Sequence, residues 1–337
     1  MIIRRYLRWA VGLAAVLICA RLPAQDAYLA RQKEIMASDF TKRPVPSIPA
    51  SGKRIRVIID SDTGSEIDDQ WAISLALLAP ERFKIEGFVA ANFFRGGPGS
   101  IRLSYDEIER VLAKAGIQGK IPVFLGADPM RYAYGPSESA GVDFIVRKAL
   151  ESTPDDPLWI IGLGAATDLA SAYLKAPQIA DRTVFFWHGR TKWPVSCYNY
   201  NVFGDRYAAA FLFQAPIAFV LFDTGTNLTC SMEESERNVH PYGALGAYLH
   251  DYRKTRPGFM KPDKGFYDMG DIASLLDPAS ATWEVTDAPE VGPDLAYAFT
   301  GHHGQILRCS AINRDRAFDL LFKRLRAAYP AGQAASP

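Results

Sequence analysis

The chain has 337 residues, 48% of them hydrophobic and 22% charged, the composition of a globular protein long enough to bury one large core. Its formal net charge is +1, from 38 Lys and Arg against 37 Asp and Glu. That balance leaves no basic surplus for a nucleic-acid backbone, so no nucleic-acid partner is expected.

Residues 1–24 read as a secretory signal peptide, with Arg4, Arg5 and Arg8 ahead of an apolar stretch over 9–20. The stretch is shorter than the ~20 residues that span a bilayer. No stable membrane span is expected after cleavage, and the expected location is periplasmic or secreted. Bulky Ile18 before Cys19 disfavours lipidation at that cysteine. Residues 25–53, interrupted by Pro44, Pro46 and Pro49, read as a leader on the surface. Cys197, Cys230 and Cys309 are odd in number and widely spaced, so they form neither a disulfide framework nor a zinc signature.

From residue 54 the pattern alternates between short apolar strands and segments of helical period. Strands are expected at 55–60, 85–90, 122–125, 158–163, 183–187 and 217–222. Helices are expected at 69–78, 103–115, 142–150, 167–174 and 205–213. Runs such as Val57-Ile58-Ile59 and Trp159-Ile160-Ile161 are continuous rather than alternating, as in strands covered on both faces. The fold class is therefore α/β: a single domain over 54–328, with a mostly parallel, doubly wound sheet and helices on both faces. An excursion over 232–267 with a helix near 242–252 precedes a helix at Asp271, a Gly/Pro-rich strand region over 283–306 and a terminal helix over 314–328. Residues 329–337 read as a disordered tail.

The most informative segment runs Asp60-Ser61-Asp62-Thr63-Gly64-Ser65-Glu66-Ile67-Asp68-Asp69, five acids in ten residues at the end of the first strand. In an open parallel sheet that edge is where ligands bind. One acid at a helix start is a cap or a complement to the helix dipole. Five repel one another unless a cation sits among them, and an all-oxygen donor set selects a hard ion, Ca²⁺ or Mg²⁺, with flexible coordination favouring Ca²⁺.

This segment resembles the nucleoside hydrolase family, whose members share Asp-x-Asp, a short turn and Asp-Asp entering a helix; here the turn is longer. Further matches follow in order: Val89-Ala90-Ala91-Asn92, the segment Leu163-Gly164-Ala165-Ala166-Thr167-Asp168, Asn199-Tyr200-Asn201 with Asp205, and Gly270-Asp271. The resemblance implies calcium-dependent hydrolysis of an N-glycosidic bond of ribonucleosides or related ribosides. It implies a metal held by Asp62, Asp69, Asp271 and the Leu163 carbonyl, with Asp62 as the catalytic base. It also implies ribose contacts from Asp68, Asn92, Asn199 and Asn201, and it leaves a homo-oligomer open.

Two departures stand out: Gly270 occupies the place of a family histidine that serves the leaving base, and Asn199 that of an acid near the sugar. His188, His302 and His303 are candidates to replace the first, and Trp187 and Trp193 are candidates for an aromatic wall or for core. Two other readings compete. Gly270 and Asn199 suit a secreted calcium- and sugar-binding protein without turnover. Asp60-x-Asp62-Thr63 resembles the opening of haloacid-dehalogenase-like phosphatases, with Asp60 as nucleophile and Mg²⁺ as cofactor.

Overall fold

The computed structural model describes residues 43–329 continuously and, before them, Asp26, Leu29, Ala30, Gln32, Lys33, Glu34 and Ala37. The expected signal peptide, and all of the expected tail beyond Tyr329, lie outside the described residues. Contacts divide the chain into two compact units, Met1–Ser38 and Asp39–Pro337. In the first, six of the described residues between Asp26 and Glu34 are helical. No helix among the described residues is long and apolar enough to cross a membrane.

The second unit alternates strand and helix as the apolar pattern requires: β1 (Ile55–Ser61), α1 (Asp68–Leu77), β2 (Phe83–Ala90), α2 (Ser100–Lys114), β3 (Val123–Leu125) and α3 (Ala140–Leu150). It continues with β4 (Leu158–Gly162), α4 (Thr167–Lys175), β5 (Thr183–His188), α5 (Tyr200–Gly204), α6 (Arg206–Gln214) and β6 (Ala218–Phe222). The excursion holds β7 (Thr229–Ser231), α7 (Met232–Asn238), α8 (Gly243–Asp251) and β8 (Asp263–Gly265). The chain closes with α9 (Met269–Leu276), β9 (Ala281–Asp287), β10 (Glu290–Val291), β11 (Tyr297–Ala298), β12 (Gln305–Ile312) and α10 (Arg314–Ala328).

Eight strands form one sheet in the order β3-β2-β1-β4-β5-β6-β12-β9, parallel throughout except for β9, which runs antiparallel on β12. The strand region expected over 283–306 thus divides into β9, a β10–β11 hairpin and β12, with β12 running on to Ile312. The odd residues of β1, Val57 and Ile59, join a core with Trp71, Phe186, Val220, Phe266, Ile272 and Phe318, drawn from α1, α9, α10, the sheet and the segment after β8. The opposite face of the sheet is covered by α3, α4 and α6, which pack in series.

Helix starts use the side chains the sequence supplies: Ser139, Asn199, Asp205 and Asn313 each accept a backbone N–H of the helix they open. The stretch before β1 is fastened rather than loose. Arg43 is buried and donates to the carbonyls of Leu212, Phe213 and Ile217, and the Arg82 guanidinium donates to those of Pro49, Ala50 and Lys53. A leader lying on the surface describes its prolines but not Arg43.

Candidate active site

The strand order reverses direction at β1: β2 and β3 lie on one side of it and β4, β5 and β6 on the other. The carboxyl ends of β1 and β4 therefore border a topological switch point, where helices leave in opposite directions and a crevice opens. β1 delivers Asp60 and Asp62 there, β4 delivers Leu163, α1 starts with Asp68 and Asp69, and β5 ends on His188. The β7–β8 ribbon returns the chain so that Tyr267 and Asp268 stand over the same edge, and α9 brings Asp271. Arg253 holds that return by donating to the Ser231 and Lys261 carbonyls.

A cleft of about 360 Å³ results, lined by Asp62, Glu66, Asp68, His188, Asn201 and Asp268 among others. Tyr200, Phe259 and Tyr267 supply its aromatic walls. One carboxylate oxygen each from Asp68, Asp69 and Asp268 lie within 4.8 Å of one another, and so do ligand atoms of His188, Asp268 and Asp271. All five of these residues are buried.

Burial raises each of the acids whose protonation is perturbed. Asp62 is pushed well above the usual carboxylate range by desolvation and by Asp69, and Asp268 by desolvation and by Asp68. Asp69 is pushed up to about 8 by burial and by Asp68. Asp271 reaches about 6, raised by burial and held down by His188. Asp62 Oδ2, Asp69 Oδ2 and Asp271 Oδ1 are buried without a hydrogen-bond partner. Buried carboxylate oxygens without partners are costly and a divalent cation offsets that cost, so these acidic groups fit a metal; the two groups whose ligand atoms lie together share Asp268, and neither contains Asp62.

The residues singled out in the sequence converge on this edge but do not share one situation. Asp62, Asp68, Asn199 and Asn201 line the cleft. Neither acid of the Asp68-Asp69 pair caps α1: Asp68 Oδ2 accepts the Tyr267 N–H at 3.1 Å, and Asp69 Oδ1 accepts the Ser61 hydroxyl at 2.5 Å. The Leu163 carbonyl accepts from Asn201 Nδ2 at 2.6 Å and keeps a second lone pair. Asn199 is tied to the scaffold, accepting the Asn201 N–H and donating to the Arg190 carbonyl. Asn92 is buried and is not among the residues lining the cleft; its amide nitrogen donates to Ala127 O and Thr167 Oγ1, and its oxygen has no partner.

Of the three histidines, His188 lines the cleft, with Nδ1 2.6 Å from Asp271 Oδ2, whereas His302 is exposed and His303 does not line it. A side chain at position 270 requires Phe222 and Leu228 to move, because a Cβ there would stand 2.6 Å from Phe222 Cζ and 2.7 Å from Leu228 Cδ1. Trp187 and Trp193 do not line the cleft. Trp187 is fully buried and donates to Gly164 O, and Trp193 packs on Tyr297 and Phe299. Asp268 and Tyr267 escaped the sequence reading. The spacing of Asp268 three residues before Asp271 was its available signal, since residues three apart share a helix face.

The family model of the inosine-uridine preferring nucleoside hydrolases matches residues 57–306. No curated protein matches the chain. Among solved structures, a plant nucleoside hydrolase superposes with a TM-score of 0.67 at 19% identity, covering 82% of this chain and 100% of that one. A purine-preferring ribonucleoside hydrolase from Gardnerella vaginalis gives 0.60 at 20% identity, covering 81% and 98%. An inosine-uridine preferring nucleoside hydrolase from Bacillus anthracis gives 0.59 at 16% identity, covering 81% and 99%. These identities establish the fold; the family match over most of the chain establishes kinship, and it displaces the phosphatase reading. The chain belongs to the inosine-uridine preferring nucleoside hydrolase family, whose members are N-ribosyl hydrolases.

Proposed function

We propose that this chain hydrolyses the N-glycosidic bond of ribonucleosides or related ribosides with Ca²⁺ as its resident cation and Asp62 as the general base. The observation that carries the reading is the set of buried carboxylates at the switch point, with orphaned oxygens on Asp62, Asp69 and Asp271 beside an open cleft. Asp62, Asp69, Asp271 and the Leu163 carbonyl would hold the ion. Their all-oxygen character supports Ca²⁺. When bound, the cation offsets the carboxylate charge and acts as a Lewis acid that acidifies water.

The chain's own groups account for the remaining tasks. Asp62, at the cleft wall, takes the proton of the attacking water through its free Oδ2. Asp68 has Oδ2 fixed by the Tyr267 N–H, which leaves Oδ1 for a ribose hydroxyl. Asn201 is held by the Leu163 and His188 carbonyls and offers its oxygen to the sugar. Asn199 lines the wall beside those contacts. His188, oriented through Nδ1 by Asp271, supplies a proton to the leaving base in place of the side chain that Gly270 lacks. Tyr200 and Phe259 present faces on which a flat base can stack.

The test is sugar release from a panel of purine and pyrimidine ribonucleosides, before and after chelation and after Ca²⁺ is restored. Turnover that is lost on chelation and recovered with Ca²⁺ supports the reading. Turnover unchanged by chelation overturns the cation assignment, and absence of turnover on every riboside favours a calcium- and sugar-binding protein, for which Asn199 and Gly270 also speak.

A further inference from the structure

Arg190 lines the cleft beside Asn199, Asn201 and Tyr267, and its guanidinium lies 3.9 Å from the centroid of the Tyr267 ring. The ring lies close against the bare backbone of Gly265. A Cβ at Gly265 would stand 2.2 Å from Tyr267 Cζ, so any side chain there displaces the ring and the guanidinium with it. The main chain of Arg190 is pinned as well: its N–H donates to Phe222 O at 3.0 Å, and its carbonyl accepts Asn199 Nδ2 at 2.9 Å. Its φ of +22° is a conformation that non-glycine residues seldom hold.

Among the described residues, no carboxylate oxygen stands within 4.0 Å of the Arg190 guanidinium. The neighbouring cation is already committed, since Lys264 pairs with Glu66 and also donates to the Gly265 carbonyl. A neutral nucleoside offers the guanidinium hydroxyl and carbonyl acceptors but no counter-charge, which a phosphate supplies. Glu66 acts on Arg190 through space and is itself paired with Lys264, while Asn199, beside Arg190, is an uncharged amide where the family resemblance places an acid.

We propose that Arg190 forms a subsite for a phosphate monoester carried on the sugar of the substrate, so that the preferred substrates are riboside phosphates. This rests on the N-ribosyl hydrolase reading of the same cleft and narrows its substrate class. A guanidinium presents paired N–H donors that match phosphate oxygens, and stacking on Tyr267 holds that fork in one plane. Asp62, Asp68 and Asp268 stay with the ribose and the cation, and the phosphate meets Arg190 on the Asn199 side of the cleft.

The experiment is calorimetric titration of the full chain, supplied with CaCl₂, with ribose and with ribose 5-phosphate, alongside turnover of ribonucleosides and their 5′-phosphates. Wild type is expected to bind ribose 5-phosphate at least about 10-fold more tightly than ribose, as a charge-assisted pair implies. Arg190→Ala is expected to erase that advantage and leave ribose binding within about 2-fold, and Arg190→Lys to keep part of it. Equal affinity of wild type for the two sugars overturns the proposal without any variant, as does an advantage that survives in Arg190→Ala. Nucleosides turned over faster than their 5′-phosphates also overturn it while leaving the hydrolase reading intact. A phosphate advantage without turnover of either class sinks that reading and leaves the subsite standing.

Discussion

His188 Nδ1 lies 2.6 Å from Asp271 Oδ2 and 3.2 Å from Asp268 Oδ1; with Asp271 ionised, Nδ1–H donates to it and Nε2 is the nitrogen left for a substrate. The Phe222 ring, 5.5 Å away between centroids, packs on the imidazole. A histidine in this position can protonate a leaving base. His188→Ala is expected to lower turnover of ribonucleosides about 100-fold or more, the range for loss of a general acid. A riboside with a nitrophenolate leaving group, which departs without a proton, is expected to lose far less. Equal losses on both substrates in steady-state assays contradict the assignment.

The same Phe222 ring explains Gly270. Gly270→His forces its Cβ against Phe222 Cζ and Leu228 Cδ1 in a filled core. The expected cost is about 1–3 kcal/mol, as for other overpacking substitutions. Urea denaturation of the variant measures it, and adding Phe222→Ala is expected to lower the overpacking part. A Gly270→His protein as stable as wild type counts against this account of the missing family histidine.

Asp69 and Asp271 hold protons to about 8 and about 6 because burial raises them. A carboxyl with a raised folded value binds more protons folded than unfolded. Their contribution to the stability of the cation-free protein is therefore fully present below the unfolded value, about 4, and is lost as pH rises toward 8. A cation competes with those protons, so the stabilisation it gives grows across the same interval. Thermal melts in chelator are expected to show a lower Tm at pH 8 than at pH 5, with CaCl₂ raising the pH 8 value most. A Tm that rises from pH 5 to pH 8 in chelator runs against the prediction.

Asp69→Asn removes one carboxylate charge from the cluster while keeping its size. Calcium titration followed by calorimetry is expected to show affinity reduced by about 10-fold or more, since affinity in such sites is tuned by ligand charge. Unchanged affinity would place the ion elsewhere.

Much of this was legible in the sequence because strand and helix announce themselves by periodicity. β1 and β4 read as continuous apolar runs, and they are the strands that flank the switch point. The acids around Asp62 and Asp69 were legible for a different reason: their crowding has no purely structural purpose. What escaped notice came from tertiary return. Asp268 and Tyr267 reach the cleft through the β7–β8 ribbon, about 200 residues after Asp68, and a one-dimensional pattern cannot place them there. Trp187 could be wall or core on sequence alone; its indole N–H bond to Gly164 O decides for core. Arg43 reads as part of a polar leader, yet three backbone carbonyls near the start of β6 satisfy its guanidinium and bury it.

The most direct measurement compares wild type with Asp62→Ala, both supplied with Ca²⁺, for riboside binding by calorimetry and for riboside turnover by sugar release. The account predicts that Asp62→Ala still folds and binds the riboside but turns it over about 100-fold to 10,000-fold more slowly, the span for removal of a general base. Turnover by Asp62→Ala at the wild-type rate would contradict it.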